Sequence, residues 1–361
     1  MTNSSPPPRK PLPSLQPLAS LWGGLMKLRR WAYASGLIKQ FKVACPVVSV
    51  GNLTLGGNGK TPMTQFLAKV FLQKGYRPAI LSRGYGRRPS LEREEPLVVS
   101  LGQGPLLSAQ ECGDEPFLSA LKSQATVVLA RRRSLAALKA IELGANILIL
   151  DDGFQHLSLA REVDLLMLQA DQDLKKERII PAGYLREPGQ AQEKADVLVA
   201  LGREKPAALQ KMAGDRPLHL ARLAPICFRS LDFSSTAPLD KPKGGRLAAF
   251  CGLAKPEAFF RTLADLSLEV RSSLSFPDHA RYDPDEIAAL HRLAKTSQAD
   301  YLLTTLKDAV KLPLALNLPI LALDVELELD RPDDFVDQLF SRLSPTKPEA
   351  SRLDQTRSVH D

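Results

Sequence analysis

The sequence predicts an α/β protein: a parallel sheet sandwiched by helices, followed by a second, smaller α/β domain. Three observations predict it. Short apolar runs rich in Val, Ile and Leu recur at 47–50, 79–81, 126–129, 147–150, 165–168 and 197–201. Helical stretches separate several of these runs, which is the pattern of parallel strands buried on both faces. After an irregular stretch the alternation resumes, with strands expected at 247–250, 301–304 and 320–323 and helices at 256–266 and 283–295.

At 361 residues the chain has room for about two domains. Residues 1–13 are rich in Ser, Pro and basic side chains, cannot build a core, and read as a disordered tail. Residues 14–40 read as an amphipathic helix, 41–220 as the main domain and 221–342 as the smaller one, with the crossover inside the Pro-, Lys- and Arg-rich stretch 203–245. The polar residues 343–361 read as a second tail.

In the 14–40 helix Leu18, Leu21, Trp22, Leu25 and Ala32 fall near one face, interrupted by Arg29. Trp22 and Trp31 stand among Lys27, Arg29 and Arg30, a composition found in helices that lie in a membrane interface. A helix docked on the protein core with its basic residues reaching water has the same pattern. Charge is distributed unevenly: 14 of the 48 basic residues and none of the 40 acidic ones precede Glu92. An anionic partner is therefore expected at the N-terminal region.

Other classes are disfavoured. The four cysteines, Cys45, Cys112, Cys227 and Cys251, are widely separated and suggest neither a zinc site nor a disulfide framework. The N-terminus lacks the form of a signal peptide, and no apolar run reaches the roughly 18–20 residues that span a bilayer. Aromatic residues make up 6% of the chain, with no stacking or helix-turn-helix motif, so nucleic acid is not an expected partner.

The segment Thr54-Leu55-Gly56-Gly57-Asn58-Gly59-Lys60-Thr61 follows the first expected strand and opens a helix beginning near Pro62. That context defines a phosphate-binding loop, so the main domain is read as P-loop NTPase-like, with ATP and Mg²⁺ as its ligands. Backbone N–H groups would close around phosphate oxygens, Lys60 would reach the β- and γ-phosphates, and the Thr61 hydroxyl would sit on Mg²⁺. Thr54 replaces the usual first glycine, and Gly56 and Gly57 are the residues that could restore flexibility.

The run 146–150 ends in Asp151 and Asp152, followed by Gly153, Phe154, Gln155 and His156. A carboxylate at the end of a neighbouring strand helps hold Mg²⁺ in this class; Asp151 is the candidate, with Asp152 beside it for metal or substrate. Arg186 could bind phosphate and Glu187 metal. Arg83, Arg87 and Arg88 surround Tyr85 and suit an anionic ligand. Gly113-Asp114-Glu115-Pro116 on spacing alone is a turn and a helix start, and His279 beside Asp278 is on spacing alone a surface histidine.

Taken together these segments resemble one family, the tetraacyldisaccharide 4′-kinases that phosphorylate lipid A precursors in Gram-negative bacteria. The matching motifs run from Val50-Gly51-Asn52 through Lys60-Thr61-Pro62, Ser82-Arg83-Gly84-Tyr85-Gly86-Arg87, Gly113-Asp114-Glu115-Pro116, Asp151 to His156, Leu185 to Pro188, Phe250 to Ala254, Phe276 to His279 with Tyr282, and Thr304 to Lys311. The resemblance implies Mg²⁺-dependent transfer of the ATP γ-phosphate to the 4′-hydroxyl of an anionic tetraacyl glucosamine disaccharide 1-phosphate. It implies peripheral attachment to the cytoplasmic face of the inner membrane. It also implies that Asp114 is the base, assisted by His279 across an interdomain cleft, with Lys60 and Asp152 completing the catalytic set. Thr61, Asp151 and Glu187 would serve the metal, and Arg83, Tyr85, Gln155 and Arg186 the acceptor. Thr54 is usual for the family, whereas Leu306 stands where it more commonly has glutamate.

Overall fold

The computed structural model describes residues 13–56, 59–84, 95–204, 206–278 and 280–343. In chain order the main elements are α1 (Gln16–Ala34), β1 (Val47–Asn52), α2 (Lys60–Gln73), β2 (Pro78–Ser82), β3 (Leu97–Leu101), α3 (Ala109–Cys112), α4 (Asp114–Lys122), β4 (Thr126–Leu129), α5 (Arg133–Glu142), β5 (Ile147–Asp151), β6 (Val163–Gln169), β7 (Val197–Leu201), α6 (Ala207–Ala213) and β8 (Leu218–Arg229). They continue with β9 (Thr236–Ala237), β10 (Leu247–Cys251), α7 (Pro256–Asp265), β11 (Val270–Ser275), α8 (Pro284–Ser297), β12 (Tyr301–Thr305), α9 (Leu306–Ala309), β13 (Ile320–Leu329) and α10 (Pro332–Phe340). The two expected tails lie outside the described residues, apart from residues 13 and 343.

Among the described residues the strands form one continuous sheet in the order β11-β10-β12-β13-β8-β7-β6-β1-β5-β2-β4-β3, with β9 on β8. All pairings are parallel except β13–β8, β8–β9 and β3–β4. β1 lies between β5 and β6, so the chain changes direction across the sheet at β1. A crevice at the carboxyl ends of strands beside such a switch point is where open α/β sheets bind ligands.

The central strands are buried on both faces. Val48, Val50 and Ile149 share a core with Met63, Leu67 and Phe71 of α2. Val47, Leu148 and Leu150 pack on Ala136, Ala137 and Ala140 of α5. In the other half Phe259 and Leu263 of α7 form one core, and Leu290 of α8 belongs to another.

Three features differ from the sequence expectation. The 14–40 helix stops at Ala34, and Gly36 turns the chain with φ 78°. The irregular stretch 203–245 contains α6 and the long strand β8, whose half-exposed alternation carries arginines and Pro225 and does not read as apolar. The expected boundary at 220/221 falls inside β8. That strand pairs with β7 through Leu218–Ala221 and then with β13 through Ala221–Arg229. β8 and β13 thus form an antiparallel ribbon joining the two halves.

Asp324 in this ribbon is fully buried and is neutralised by Lys122 of α4 and by Arg229, whose Nε lies 2.7 Å away. A buried carboxylate needs such partners, because desolvation otherwise outweighs any Coulombic gain. Beyond the ribbon α10 returns to the first half, where Phe335 and Leu339 join the α2 core. Phe335 meets Phe66 edge-on at 6.0 Å and the buried His219 at 5.2 Å.

Phe335→Ala is therefore expected to cost about 3–5 kcal/mol, the range for emptying a fully buried aromatic site. Urea unfolding followed by circular dichroism checks this; a loss below about 1 kcal/mol would mean that α10 is peripheral to the core.

Candidate active site

The site is built where β1 and β5 end side by side, with Val50 paired to Asp151. Beyond Asn52 the chain passes through Thr54 and Gly56 and reaches Gly59, whose φ of 75° begins α2 at Lys60. Thr54 forms an antiparallel bridge with Leu185, and the N–H of Leu55 donates to the Tyr184 carbonyl at 2.9 Å. The Arg186 N–H donates to the Leu53 carbonyl at 2.7 Å. This ladder explains the missing first glycine: Thr54 is in bridged backbone and does not need a positive φ. Gly57 and Asn58 lie outside the described residues.

Lys60 and Thr61 open α2. The Lys60 side chain is largely buried, its ammonium 3.4 Å from the Gly56 carbonyl and 3.6 Å from Asp152 Oδ1. Asn52 Nδ2 approaches the same Gly56 carbonyl at 3.4 Å.

Asp151 is buried at the end of β5, and its Oδ1 has no hydrogen-bond partner among the described residues. Burial, reinforced by the charges of Glu115 and Asp152, pushes its carboxyl up to about 7 against the opposing pull of Lys60 and Arg133. Asp152 follows with a left-handed φ of 53°. Burial pushes its carboxyl up too, but Lys60 and Arg186 outweigh that and hold it below the ordinary carboxylate range. Nη1 of Arg186 donates to both Asp152 oxygens, at 2.9 and 2.7 Å, and reaches Gln155 Oε1 at 3.3 Å. Gln155 Nε2 in turn donates to the Asn52 carbonyl at 2.9 Å.

The structure thus brings Lys60, Asp151, Asp152, Gln155 and Arg186 together. Glu187 is buried, but its carboxylate is held by Arg30 of α1. Asp114 is the first residue of α4, one place before Glu115, whose charge is felt at Asp151. Arg83 is exposed just beyond β2, and its charge acts on Arg133 and His156 of the same neighbourhood. Tyr85 and His279 lie outside the described residues; Asp278, next to His279, is paired with Lys307 at 3.2 Å.

Arg133 was not singled out in the sequence. Its guanidinium is buried at the start of α5, donates to the Ala130 carbonyl at 2.8 Å and leaves Nε without a partner among the described residues. Burial pushes it down to about 10, opposed by Asp151 and Asp152. The run Arg131-Arg132-Arg133 directly after a strand was the available signal.

Among the described residues no three His, Cys, Asp or Glu side chains converge into a ready-made metal cage. The residues still fit a divalent ion. Asp151 offers a buried oxygen that nothing else satisfies, and Thr61 opens the neighbouring helix. Beside them an open groove of about 500 Å³ is lined by Trp22, Met26 and Arg29 of α1 with Leu55, Gln155, Ile180 and Arg186.

Comparison with known proteins identifies the family of the chain. The sequence model of the Tetraacyldisaccharide-1-P 4′-kinase family matches residues 12–344. A tetraacyldisaccharide 4′-kinase of Desulfotalea psychrophila is 38% identical over 317 residues, covering 84% of this chain and 89% of its own. One from Geobacter sulfurreducens is 39% identical over 316 residues, covering 86% and 87%. The crystal structure of LpxK from Aquifex aeolicus in complex with ATP superposes with a TM-score of 0.76 at 33% identity, covering 92% of this chain and 99% of that one.

The raised Asp151 carboxyl sets a pH dependence. The group lies near 3.9 in an unfolded chain and near 7 here, so the native state binds the extra proton. Its contribution to stability is complete below the unfolded value and is lost as pH rises through about 7. In EDTA, Asp151→Asn is expected to melt close to wild type at pH 4 and well above it at pH 8, a gap that added Mg²⁺ narrows. Calorimetry showing the same difference at both pH values would contradict it.

Proposed function

The chain belongs to the tetraacyldisaccharide 4′-kinase family, and on that premise we propose that its phosphoryl transfer is performed by the residues gathered where β1 and β5 end. It is an ATP-dependent kinase that, with Mg²⁺, transfers the γ-phosphate of ATP to the 4′-hydroxyl of a tetraacyl glucosamine disaccharide 1-phosphate, a lipid A precursor. The observation that carries the residue assignment is the position of Lys60, 3.6 Å from Asp152 at the end of the strand that neighbours the phosphate loop.

In this reading the loop from Thr54 to Thr61 holds the triphosphate: its backbone N–H groups and the start of α2 face phosphate oxygens, and Lys60 supplies a cation to the transferring group. Thr61 and Asp151 would hold Mg²⁺, which would neutralise phosphate charge there; Glu187, expected as a further ligand, has both carboxylate oxygens taken up by Arg30. Asp152 and Arg186 act as a pair at the acceptor side, where Arg186 and Arg83 attract phosphate and Gln155 orients the sugar. Tyr85 is assigned to acceptor binding from its place in the sequence motif alone. Asp114 accepts the proton of the 4′-hydroxyl as it attacks, and His279 assists by taking that proton onward. The groove between α1 and Leu55, Gln155 and Arg186 admits the disaccharide beside the phosphate loop.

We also propose that the enzyme works at a membrane surface, on the cytoplasmic face of the inner membrane. No helix among the described residues is long and apolar enough to cross a membrane. α1 instead turns Leu18, Leu21, Leu25 and Leu28 outward, with Leu21 64% and Trp31 57% exposed. An apolar helix face settles into the headgroup layer, and the exposed Lys27 beside it adds about 1 kcal/mol near an anionic surface.

Asp114→Ala is expected to lower turnover of the disaccharide lipid about 10²–10⁴-fold while ATP affinity stays within about 3-fold. Radiolabel transfer and nucleotide titration measure the two quantities; near-normal turnover would remove Asp114 from the mechanism. Leu21→Glu combined with Leu28→Glu is expected to abolish sedimentation with anionic vesicles and to spare ATP binding. Undiminished sedimentation would place the membrane contact elsewhere.

A further inference from the structure

α1 is stapled across both loops of the site. Its inner side is Ala19 and Gly23, and a Cβ at position 23 would meet Ile179 at 2.9 Å, so the helix lies close to the body. From that distance three side chains reach inward. The Trp22 indole donates to the Arg186 carbonyl at 3.1 Å, Arg29 Nη1 to the Gln155 carbonyl at 2.9 Å and Arg30 Nη2 to the Phe154 carbonyl at 3.2 Å. Arg30 also forks Glu187, Nε to Oε2 and Nη2 to Oε1, the second at 3.0 Å. Its guanidinium lies 4.5 Å from the centroid of the Phe154 ring.

Both targets are themselves fixed. Phe154 is fully buried and lies so close to Gly51 that a Cβ there would meet the Phe154 Cβ at 2.4 Å and its backbone N at 2.6 Å. Glu187 is 2% exposed. Phe154 stands between Asp152 and Gln155, and Glu187 follows directly on Arg186. A planar guanidinium can saturate a carboxylate with one edge while a further N–H reaches a carbonyl, whereas an ammonium has no such fixed fork. The Arg30 contacts therefore set the spacing of the backbones that carry Asp152 and Arg186, whose ion pair closes at 2.7 Å.

We propose that Arg30 is a positioning residue for phosphoryl transfer and that, through it, the seating of α1 is coupled to the alignment of the Asp152–Arg186 pair. This rests on the reading above that Asp152 and Arg186 act in the site. The helix then has two tasks carried by opposite sides: the bare leucines meet a surface, and the arginine side holds the two loops in register. A helix levered away from the body leaves Glu187 as a buried charge without its partner, and the loops relax.

The test compares Arg30→Ala and Arg30→Lys with wild type on detergent-dispersed tetraacyl disaccharide 1-phosphate at saturating ATP and Mg²⁺. It is paired with sedimentation on anionic vesicles and with acrylamide quenching of Trp22 in a Trp31→Phe background. Both variants are expected to lose about 10–100-fold in kcat with KM for the lipid within about 3-fold, the pattern of a lost supporting contact. Sedimentation is expected to remain, and Trp22 to become easier to quench. Arg30→Lys keeps the charge, so it carries the test if the alanine variant does not fold. Adding Glu187→Gln to Arg30→Lys is expected to be no slower than the slower single variant. Unchanged kcat, a loss confined to KM and sedimentation, full kcat in Arg30→Lys, or additive losses would each overturn the coupling. An Asp152→Asn variant with unchanged kcat would instead sink the reading of the site itself, whatever Arg30 does.

Discussion

A carboxylate buried at the end of a central parallel strand, with one oxygen unbonded, organises this protein. Asp151 cannot hold its charge cheaply without a cation, and its neighbours are arranged around that fact. Lys60 and Arg133 approach from α2 and α5, Asp152 and Glu115 oppose them, and the pairing of β1 with β5 brings the phosphate loop alongside. Because β5 and β6 flank β1, the crevice opens where the sheet's winding reverses. In the proposed reading, nucleotide and metal chemistry at this place follows from strand order and one buried acid.

Around that centre the cations are allotted to different duties. Arg186 neutralises Asp152, Arg30 neutralises Glu187, and Arg161 ion-pairs with Asp164 at 2.9 Å while donating to the His156 carbonyl at 2.7 Å. The excess of basic residues before Glu92, which in sequence suggests only an anionic partner, is partly spent inside the molecule. Arg29 and Arg30 point at loop carbonyls and a carboxylate, and the outer side of α1 is apolar. The helix is docked through small residues and arginines, and its leucine face is bare. Of the two descriptions left open by the sequence, the docked helix is the one observed, and its bare leucines are the basis of the membrane proposal.

Much of this was legible in the sequence because local rules and function agreed there. The β-branched runs at 47–50, 126–129 and 197–201 became strands because both faces of each are covered, so every residue in them is apolar or small. The Lys60-Thr61 loop and the Asp151-Asp152 strand end announced themselves by residue type and order, and the family likeness they suggested is borne out by the comparisons. What escaped was long-range or half-exposed. β8 alternates buried and open positions and carries arginines, so its apolar signal is diluted. The return of α10 to the first core depends on Phe335 meeting Phe66 and His219, which no local pattern encodes. Arg30 gains meaning only from an acid 157 residues along the chain, and Arg133 from the two acids that close the next strand.

The staple formed by α1 also fixes an order of events during synthesis. Trp22, Arg29 and Arg30 bind groups at 154, 155, 186 and 187, separated from them by 124 to 164 residues. At a ribosomal rate of about 5–20 residues per second, roughly ten to thirty seconds pass between the emergence of the helix and that of its last partners. For that interval the carbonyls and the carboxylate it will clasp have not yet been made, and a nascent chain carrying a leucine-lined helix meets its surroundings before it has a fold to return to.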